Sequence, residues 1–350
     1  MHMADALLAP AVAGAMYIAS GAAAGHSLIQ LKKDDDEKKL PVMAVTSALV
    51  FAGQMINFTI PGTGSSGHIC GGMMLSALLG PEAGFLSMIA ILLIQCLFFA
   101  DGGLLALGAN IWNMAFYGCF VGYYLIWRPI MKSKLFGNKA GSQRGRIILA
   151  SVLGCILTLQ LGAFSVVLET TLSGITELPF KAFAGLMLPI HLAIGAVEGA
   201  VTAAVLCFVY AARPELIRDA DIEKAGDPKR SLRSVIAIIA VVALVIGGGL
   251  SLLASSNPDG LEWALFGNAE EGYSENMGLD EDDFGIQSQA AETAGSIQES
   301  TSFLPDYAFQ GSDSPIGTSV SGIVGSVIVA GLAACICFAG GFFRKKKRTI

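Results

Sequence analysis

The membrane topology of this chain depends on the stretch Ile69-Cys70-Gly71-Gly72-Met73-Met74-Leu75-Ser76-Ala77-Leu78-Leu79-Gly80, which is apolar and yet short. Its 12 residues fall below the roughly 20 that a helix needs to cross the hydrocarbon of a bilayer. The dipeptide Gly80-Pro81 predicts that a helix ends there. The sidedness of every later segment depends on whether this stretch crosses the membrane.

The composition is that of a membrane protein. Of the 350 residues, 53% are hydrophobic and 14% are charged, which is too apolar for a water-exposed surface. The seven cysteines lie in or beside apolar segments and show no disulfide framework. Long apolar runs, each close to or above the length of a crossing helix, cover residues 6–31, 41–60, 82–100, 103–127, 147–172, 182–212, 235–254 and 319–343.

The distribution of charge assigns sides to the connecting segments. Residues 128–146 carry six Lys or Arg and no acid, and residues 213–233 carry six Lys or Arg against five acids. With the basic residues of 32–39 and 344–348, these segments are predicted to be cytoplasmic by the positive-inside rule. Residues 255–318 carry 13 acids and no Lys or Arg, so we expect them to be extracytoplasmic.

Residues 32–39 and 128–146 are both predicted to be cytoplasmic, and the short stretch lies between them in sequence. It must cross the membrane if these two segments are to lie on the same side. An even number of crossings is then needed between them, and the stretch supplies the fourth. Nine spans are predicted, with the N-terminus extracytoplasmic and the C-terminus cytoplasmic in a prokaryotic plasma membrane. His2 and His68 then lie on the same face.

We therefore predict an all-α polytopic membrane protein with a seven-helix core bundle and a two-helix C-terminal module. The core covers residues 1–212, a charged linker covers 213–233, and the module with its acidic loop covers 234–350. Part of 266–303 is poor in aromatic residues and is predicted to be disordered or loosely held. The acids of this loop either concentrate divalent cations or form an ordinary solvated surface.

The N-terminal dipeptide Met1-His2 has the donor atoms of a metal chelator. No charged leader with a cleavage site precedes the first apolar run, so we expect the mature chain to begin at Met1. The amine, the His2 amide nitrogen and His2 Nδ1 can close a five-membered and a six-membered ring on one ion. A second imidazole completes a four-nitrogen square that suits Ni²⁺ or Cu²⁺ and is accessible to low-spin Co²⁺. Many proteins begin with this dipeptide and bind no metal.

His68 is the candidate for the second imidazole. It follows residues 61–67, an uncharged, flexible loop that can fold inward without burying charge. The alternative is a solvated loop histidine. His26 and His191 lie in apolar segments and are interpreted as structural hydrogen-bonding residues, and Asp101 is predicted to cap the fifth span.

Three stretches of the core resemble the CbiM/NikM family, the substrate-binding components of energy-coupling-factor cobalt and nickel importers. The resemblance covers most of residues 1–212. The stretches are Ile56-Asn57-Phe58-Thr59-Ile60-Pro61-Gly62 through Gly67-His68-Ile69-Cys70-Gly71-Gly72, Asp101-Gly102-Gly103-Leu104-Leu105-Ala106-Leu107-Gly108-Ala109-Asn110-Ile111-Trp112-Asn113-Met114, and Leu188-Pro189-Ile190-His191-Leu192-Ala193-Ile194-Gly195 with Glu198-Gly199.

The resemblance implies that Co²⁺ or Ni²⁺ is bound as cargo by the Met1 amine, the His2 backbone and imidazole nitrogens, and the His68 imidazole, with no resident cofactor. The family usually opens Met-His-Ile-Pro-Asp-Gly, whereas this chain continues Met3-Ala4-Asp5-Ala6 after His2. Residues 257–262, Asn-Pro-Asp-Gly-Leu-Glu, resemble the PDGLE domain, which is akin to CbiN/NikN.

The implied partners are membrane lipid, a transmembrane coupling subunit and ABC-type ATPases, and no nucleic acid is expected. The chain has no G-x-x-x-x-G-K-[ST] phosphate-binding loop, so we expect a transporter subunit that is not an enzyme. The alternative is an intramembrane serine protease, in which Ser66 of Gly64-Ser65-Ser66-Gly67 is the nucleophile and His68 or His191 the base.

Overall fold

The computed structural model describes residues 1–33, 39–133, 140–222, 228–268, 284–312 and 314–345. Within these ranges the chain is mostly helical, and the predicted all-α class is confirmed. The elements are α1 Pro10–Leu31, α2 Lys39–Gln54, β1 Phe58–Ile60, β2 Ser65–Gly67, α3 Gly72–Leu79, α4 Pro81–Phe99, α5 (Leu107–Asn110 continued by Ile111–Trp127 and Arg128–Lys132), α6 Ala140–Leu172, α7 Phe180–Ala212, α8 Leu232–Gly248, α9 Gly260–Phe266, α10 Gln289–Thr301 and α11 Ile316–Lys345.

Five helical segments of the described ranges are long and apolar enough to cross a membrane. They are Pro10–Leu31, Pro81–Phe99, Gln143–Leu172, Phe180–Ala212 and Ile316–Ala339. Two shorter apolar helices, α2 and α8, accompany them. Each of the nine predicted spans thus contains a helix, although the middle of α5 has π-helical hydrogen bonding and α3 is short.

The short stretch joins the two ends of the bundle, as its predicted crossing requires. It follows directly on His68, which lies beside the N-terminus, and its helix α3 has only eight residues, or about 12 Å of rise. At the other end, the Arg218 N–H donates to the carbonyl of Ala77 at 2.8 Å. Every residue of α3 is buried, and so are the non-helical residues 69–71 before it. Burial inside protein is what allows non-helical backbone within a membrane.

The C-terminal module packs directly on the core. Helices α8 and α11 both lie against α2, and α11 also contacts α4. The two module helices approach each other closely at Gly247 and Gly322, where a Cβ on Gly322 would lie 2.0 Å from the Gly247 carbonyl oxygen. Small residues therefore permit this helix contact, as is usual in membranes.

The described residues between α8 and α11 cover the end of the core at which the N-terminus lies. Part of the region predicted to be loosely held is instead the ordered helix α10, and Gln298 on it donates to the carbonyls of Cys96 at 2.9 Å and Gly102 at 2.7 Å. Residues 269–283, which the same prediction includes, lie outside the described residues.

The loop predicted to be flexible before His68 is a two-stranded hairpin. Strands β1 and β2 pair antiparallel, and Gly62 and Gly64 take the positive φ values of 77° and 70° that the turn requires. Strand β2 is fully buried. The hairpin therefore presents His68 from an ordered support.

Candidate metal centre

The first residues of the chain are held inside the bundle by the start of α5. The Met3 N–H donates to Asn110 Oδ1 at 2.7 Å, and Asn110 Nδ2 donates back to the Met3 carbonyl at 3.1 Å. The Gly103 N–H also donates to the Met3 carbonyl at 2.9 Å. Both polar groups of the Met3 backbone are thus paired, as burial demands. Met1 is 5% exposed and Met3 is fully buried.

Two glycines make this close approach possible. Gly102 has φ of 80°, and a Cβ there would lie 3.2 Å from the His2 Cβ. A Cβ on Gly103 would lie 1.9 Å from Asp5 Oδ1 and 2.5 Å from the Asp5 nitrogen. Asp5 Oδ1 in turn accepts a hydrogen bond from the Ala106 N–H at 3.0 Å. The segment from Asp101 to Asn110 therefore forms the docking surface against which the N-terminal residues pack.

The interpretation of Asp101 as a helix cap was wrong. Helix α5 begins only at Leu107, without a side-chain cap. Asp101 Oδ1 instead lies 3.0 Å from His2 Nδ1, and its Oδ2 accepts a hydrogen bond from the Tyr307 hydroxyl at 2.5 Å. The carboxylate thus contacts the ring nitrogen that the predicted chelate uses.

The amine of Met1 is paired with an acid of the second module. Its nitrogen lies 2.7 Å from Asp259 Oδ2. Burial disfavours the charged amine, but the Asp259 carboxylate outweighs this effect and raises the amine pKa above its usual value near 8. The same ion pair, against the opposing effect of burial, holds the pKa of Asp259 well below its usual range.

The position of Asp259 is set by its own helix. Asp259 Oδ1 caps α9 by accepting the N–H groups of Leu261 at 2.7 Å and Glu262 at 3.0 Å. Glu262 Oε2 accepts the Asp259 N–H at 3.0 Å, which completes a capping box. One carboxylate oxygen is therefore occupied locally and the other is left to face Met1.

The His68 ring offers one open nitrogen to this cluster. Its Nδ1 lies 3.0 Å from the Ile69 carbonyl, which can only accept, so Nδ1 bears the proton and Nε2 is the lone-pair nitrogen. Burial lowers the pKa of His68 to about 4, so the imidazole is neutral at pH 7. Nε2 lies 4.0 Å from Asp259 Oδ2, and the His2 and His68 rings stack at 5.4 Å between centroids.

The predicted ligands Met1, His2 and His68 are thus gathered in one cluster, in which the amine and His2 Nδ1 each contact an acid. Among the described residues, no group of three or more His, Cys, Asp or Glu side chains is placed to hold one ion. A metal held as predicted would take the amine and amide nitrogens of the chain itself as donors beside the imidazoles. Such binding would have to displace the amine from Asp259 and His2 Nδ1 from Asp101.

Reasoning from sequence missed Asp259 and Asn110 as members of the site. The Asp-Gly-Leu-Glu pattern signals a capping box, but nothing in the pattern indicates that the free carboxylate oxygen reaches the amine 258 residues away. Asn110 lies in an apolar helix, where a buried amide needs hydrogen-bond partners. The sequence could therefore have indicated that Asn110 makes a buried hydrogen bond to another part of the chain.

The other residues singled out have separate surroundings. Ser66 is fully buried, and its hydroxyl donates to the Asn257 carbonyl at 2.7 Å, so it holds the second module instead of facing a base. His26 is exposed on α1. His191 is 1% exposed, and its Nδ1 lies 2.7 Å from the Met187 carbonyl, as expected for a structural hydrogen bond.

Comparisons with known proteins agree with this architecture. Residues 2–216 match the cobalt uptake substrate-specific transmembrane region, and residues 233–340 match the PDGLE domain. A fused nickel transport protein of Rhodobacter capsulatus is 31% identical over 95% of this chain and 96% of its own. A candidate fused nickel transport protein of Archaeoglobus fulgidus is 35% identical, again over 95% and 96%.

A solved structure extends the likeness to the fold. The crystal structure of a truncated transition metal transporter, 32% identical, superposes with a TM-score of 0.51 over 60% of this chain and 98% of its own. The family match covers more than half of the chain, and both fused relatives align over nearly their whole lengths. This chain therefore belongs to the cobalt uptake substrate-specific transmembrane family and carries a C-terminal PDGLE domain, which makes it a component of cobalt or nickel transport.

Proposed function

We propose that this chain is the substrate-capture subunit of an energy-coupling-factor importer and binds Co²⁺ or Ni²⁺ through Met1, His2 and His68. The observation that carries the proposal is the burial of the Met1 amine beside His2 and His68. A charged amine is expensive to bury, and a chain terminus is ordinarily left in water. A terminus drawn inside the bundle, between two imidazoles and two acids, is well suited to a metal ligand.

The chemistry of the donors fits both metals. The amine, the His2 amide nitrogen and His2 Nδ1 form two fused chelate rings on the metal, and His68 Nε2 is the fourth nitrogen ligand. The neutral His68 imidazole needs no proton loss to ligate at pH 7. The amine and the amide each release a proton on binding, so the metal replaces the charge that the Met1 ammonium group presents to Asp259.

The arrangement of charge supports capture from the extracytoplasmic side. Asp101, Asp259 and Glu262 surround the N-terminal end of the bundle, and an acidic surface attracts divalent cations. At the other end, Lys132 lies 3.0 Å from Asp219, in the basic segments that the positive-inside rule assigns to the cytoplasm.

Uphill import needs an energy source that this chain lacks, because its sequence has no phosphate-binding loop. We infer a transmembrane coupling subunit and a pair of ABC-type ATPases as partners. The basic cytoplasmic end is the face at which they would dock. Their action would move or tilt this bundle so that the bound metal reaches the inner side.

Removal of the nitrogen donors tests the ligand set. We expect His2→Ala, His68→Ala and a variant with one residue added before Met1 each to weaken Ni²⁺ and Co²⁺ binding by about 100-fold or more, since each breaks a chelate ring or removes a donor. Titration calorimetry and metal analysis of the purified full chain measure this. His26→Ala is the control and keeps wild-type affinity. Unchanged binding after the N-terminal addition excludes the amine as a ligand.

Asp259→Asn tests the competition between the acid and the metal for the amine. The raised amine pKa means that the proton is held at pH 7, and loss of the carboxylate lowers that pKa. Metal affinity at pH 7 should therefore rise by about tenfold. In both proteins affinity should increase as the pH rises, and in Asp259→Asn this increase should start at a lower pH than in wild type. Glu299→Gln, which removes an equal charge from exposed α10, should change neither property. Weaker binding by Asp259→Asn would instead make this carboxylate a ligand.

Gly103→Ala tests the docking surface for the N-terminus. The new Cβ would overlap Asp5 and displace residues 1–5 from α5, so we expect metal affinity to fall while the helical bundle stays folded. Circular dichroism and metal titration of the same preparation separate the two effects. Gly14→Ala on α1, where a Cβ meets nothing within 4 Å, is the matched control. Wild-type affinity in Gly103→Ala would contradict the docking role.

A further inference from the structure

A small cavity lies between helix α7 and the cluster of Met1, His2 and His68. Its lining includes Met1, His68, Cys70, Met114, His191 and Asp259. Its volume of about 10 Å³ is close to what a single water molecule occupies, and so to the space for one unhydrated cation. The cavity adjoins the proposed capture site and contains donors that the site does not use.

His191 is the group that the proposed capture site leaves unexplained. Its side chain is 1% exposed, and its Nδ1 donates to the Met187 carbonyl at 2.7 Å because a carbonyl oxygen can only accept. Nε2 then carries the lone pair, and it has no hydrogen-bond partner among the described residues. An imidazole whose Nδ1–H is fixed on a backbone carbonyl while Nε2 stays open has the arrangement of a metal-binding histidine.

Cys70 supplies a second donor to the same cavity. The residue is 6% exposed, and its thiol lies 3.2 Å from the Met114 carbonyl. Its backbone is fixed by α7, because the N–H groups of Cys70 and Gly71 each donate to the Glu198 carboxylate at 2.8 Å. Glu198 thus holds the backbone of Cys70 at a fixed position beside the cavity. An imidazole with a thiolate is a suitable donor pair for Co²⁺ or Ni²⁺.

A second small cavity continues from the first toward the middle of the bundle. The deeper one is also lined by Asn113 and Glu198, and the two share a common wall of Met1, Cys70, Met114 and Leu159. His191 and Glu198 are seven residues apart on α7, which places them about 10 Å apart along the helix axis. Donors therefore follow one another from the N-terminal end of the bundle inward.

We propose that His191 Nε2 and Cys70 Sγ form a second binding site for the transported cation, on the inner side of the Met1, His2 and His68 cluster. The proposal rests on the proposed function, since it assigns the next position on the path of the same metal. Cys70 releases its thiol proton on coordination, as ligating thiols do. The site holds the metal more weakly than the four-nitrogen chelate, so the ion rests there briefly after leaving the outer ligands.

Titration of the purified full chain with Co²⁺ tests the proposal. We expect two bound equivalents at saturation, with a sulfur-to-cobalt charge-transfer absorption that accompanies only the weaker one. His191→Gln should raise the dissociation constant of the weaker equivalent by at least about tenfold, and Cys70→Ser should abolish the absorption, while the tight equivalent is retained. His26→Gln and Cys207→Ser are the matched controls and should keep both equivalents.

The double variant His2→Ala with His68→Ala separates this proposal from the capture site. It should lose the tight equivalent and keep the weaker one with its absorption. A single equivalent in wild type, or a second equivalent that His191→Gln and Cys70→Ser leave unchanged, overturns the second site and leaves the capture site intact. The small change in Cys70→Ser keeps the test valid if His191→Gln fails to fold.

Discussion

The buried ammonium group of Met1 is the interaction on which the rest of the site depends. A charge taken out of water must be paired, and here it is paired 2.7 Å from the carboxylate of Asp259. The pairing fixes the first residue against the C-terminal module, while Asn110 and Gly103 fix the third residue against the core. Between these two attachments, His2 has little freedom, and its ring stacks on His68.

This arrangement joins the two modules through the site itself. Two acids contact nitrogens of the proposed chelate: Asp101 from the core faces His2 Nδ1, and Asp259 from the PDGLE domain faces the amine. In the proposed metal-bound state both contacts give way to metal coordination. Metal capture would then exchange two protons for a divalent cation and loosen the hold of the PDGLE domain on the N-terminus. The Ser66 hydroxyl donates a hydrogen bond to the Asn257 carbonyl, which is a further contact between the core and this domain.

Sequence predicted the large-scale features because they depend on lipid and charge. The length of the apolar runs and the placement of Lys and Arg put Met1, His2 and His68 at one end, and the structure brings them together. The role of Asp101 was assigned wrongly because a helix start was expected beside it, whereas residues 102–106 are used to dock the N-terminus. The contact between Asp259 and Met1 joins the two modules across the fold, so no local pattern reveals it.

X-ray absorption at the nickel edge of the purified full chain, loaded with one equivalent of Ni²⁺, addresses the ligand set directly. We predict a square-planar spectrum with four nitrogen donors and no sulfur or carboxylate oxygen in the coordination shell. A six-coordinate spectrum with oxygen donors would contradict this, because it would mean that Asp259 or water, and not the amine and amide of the N-terminus, holds the metal.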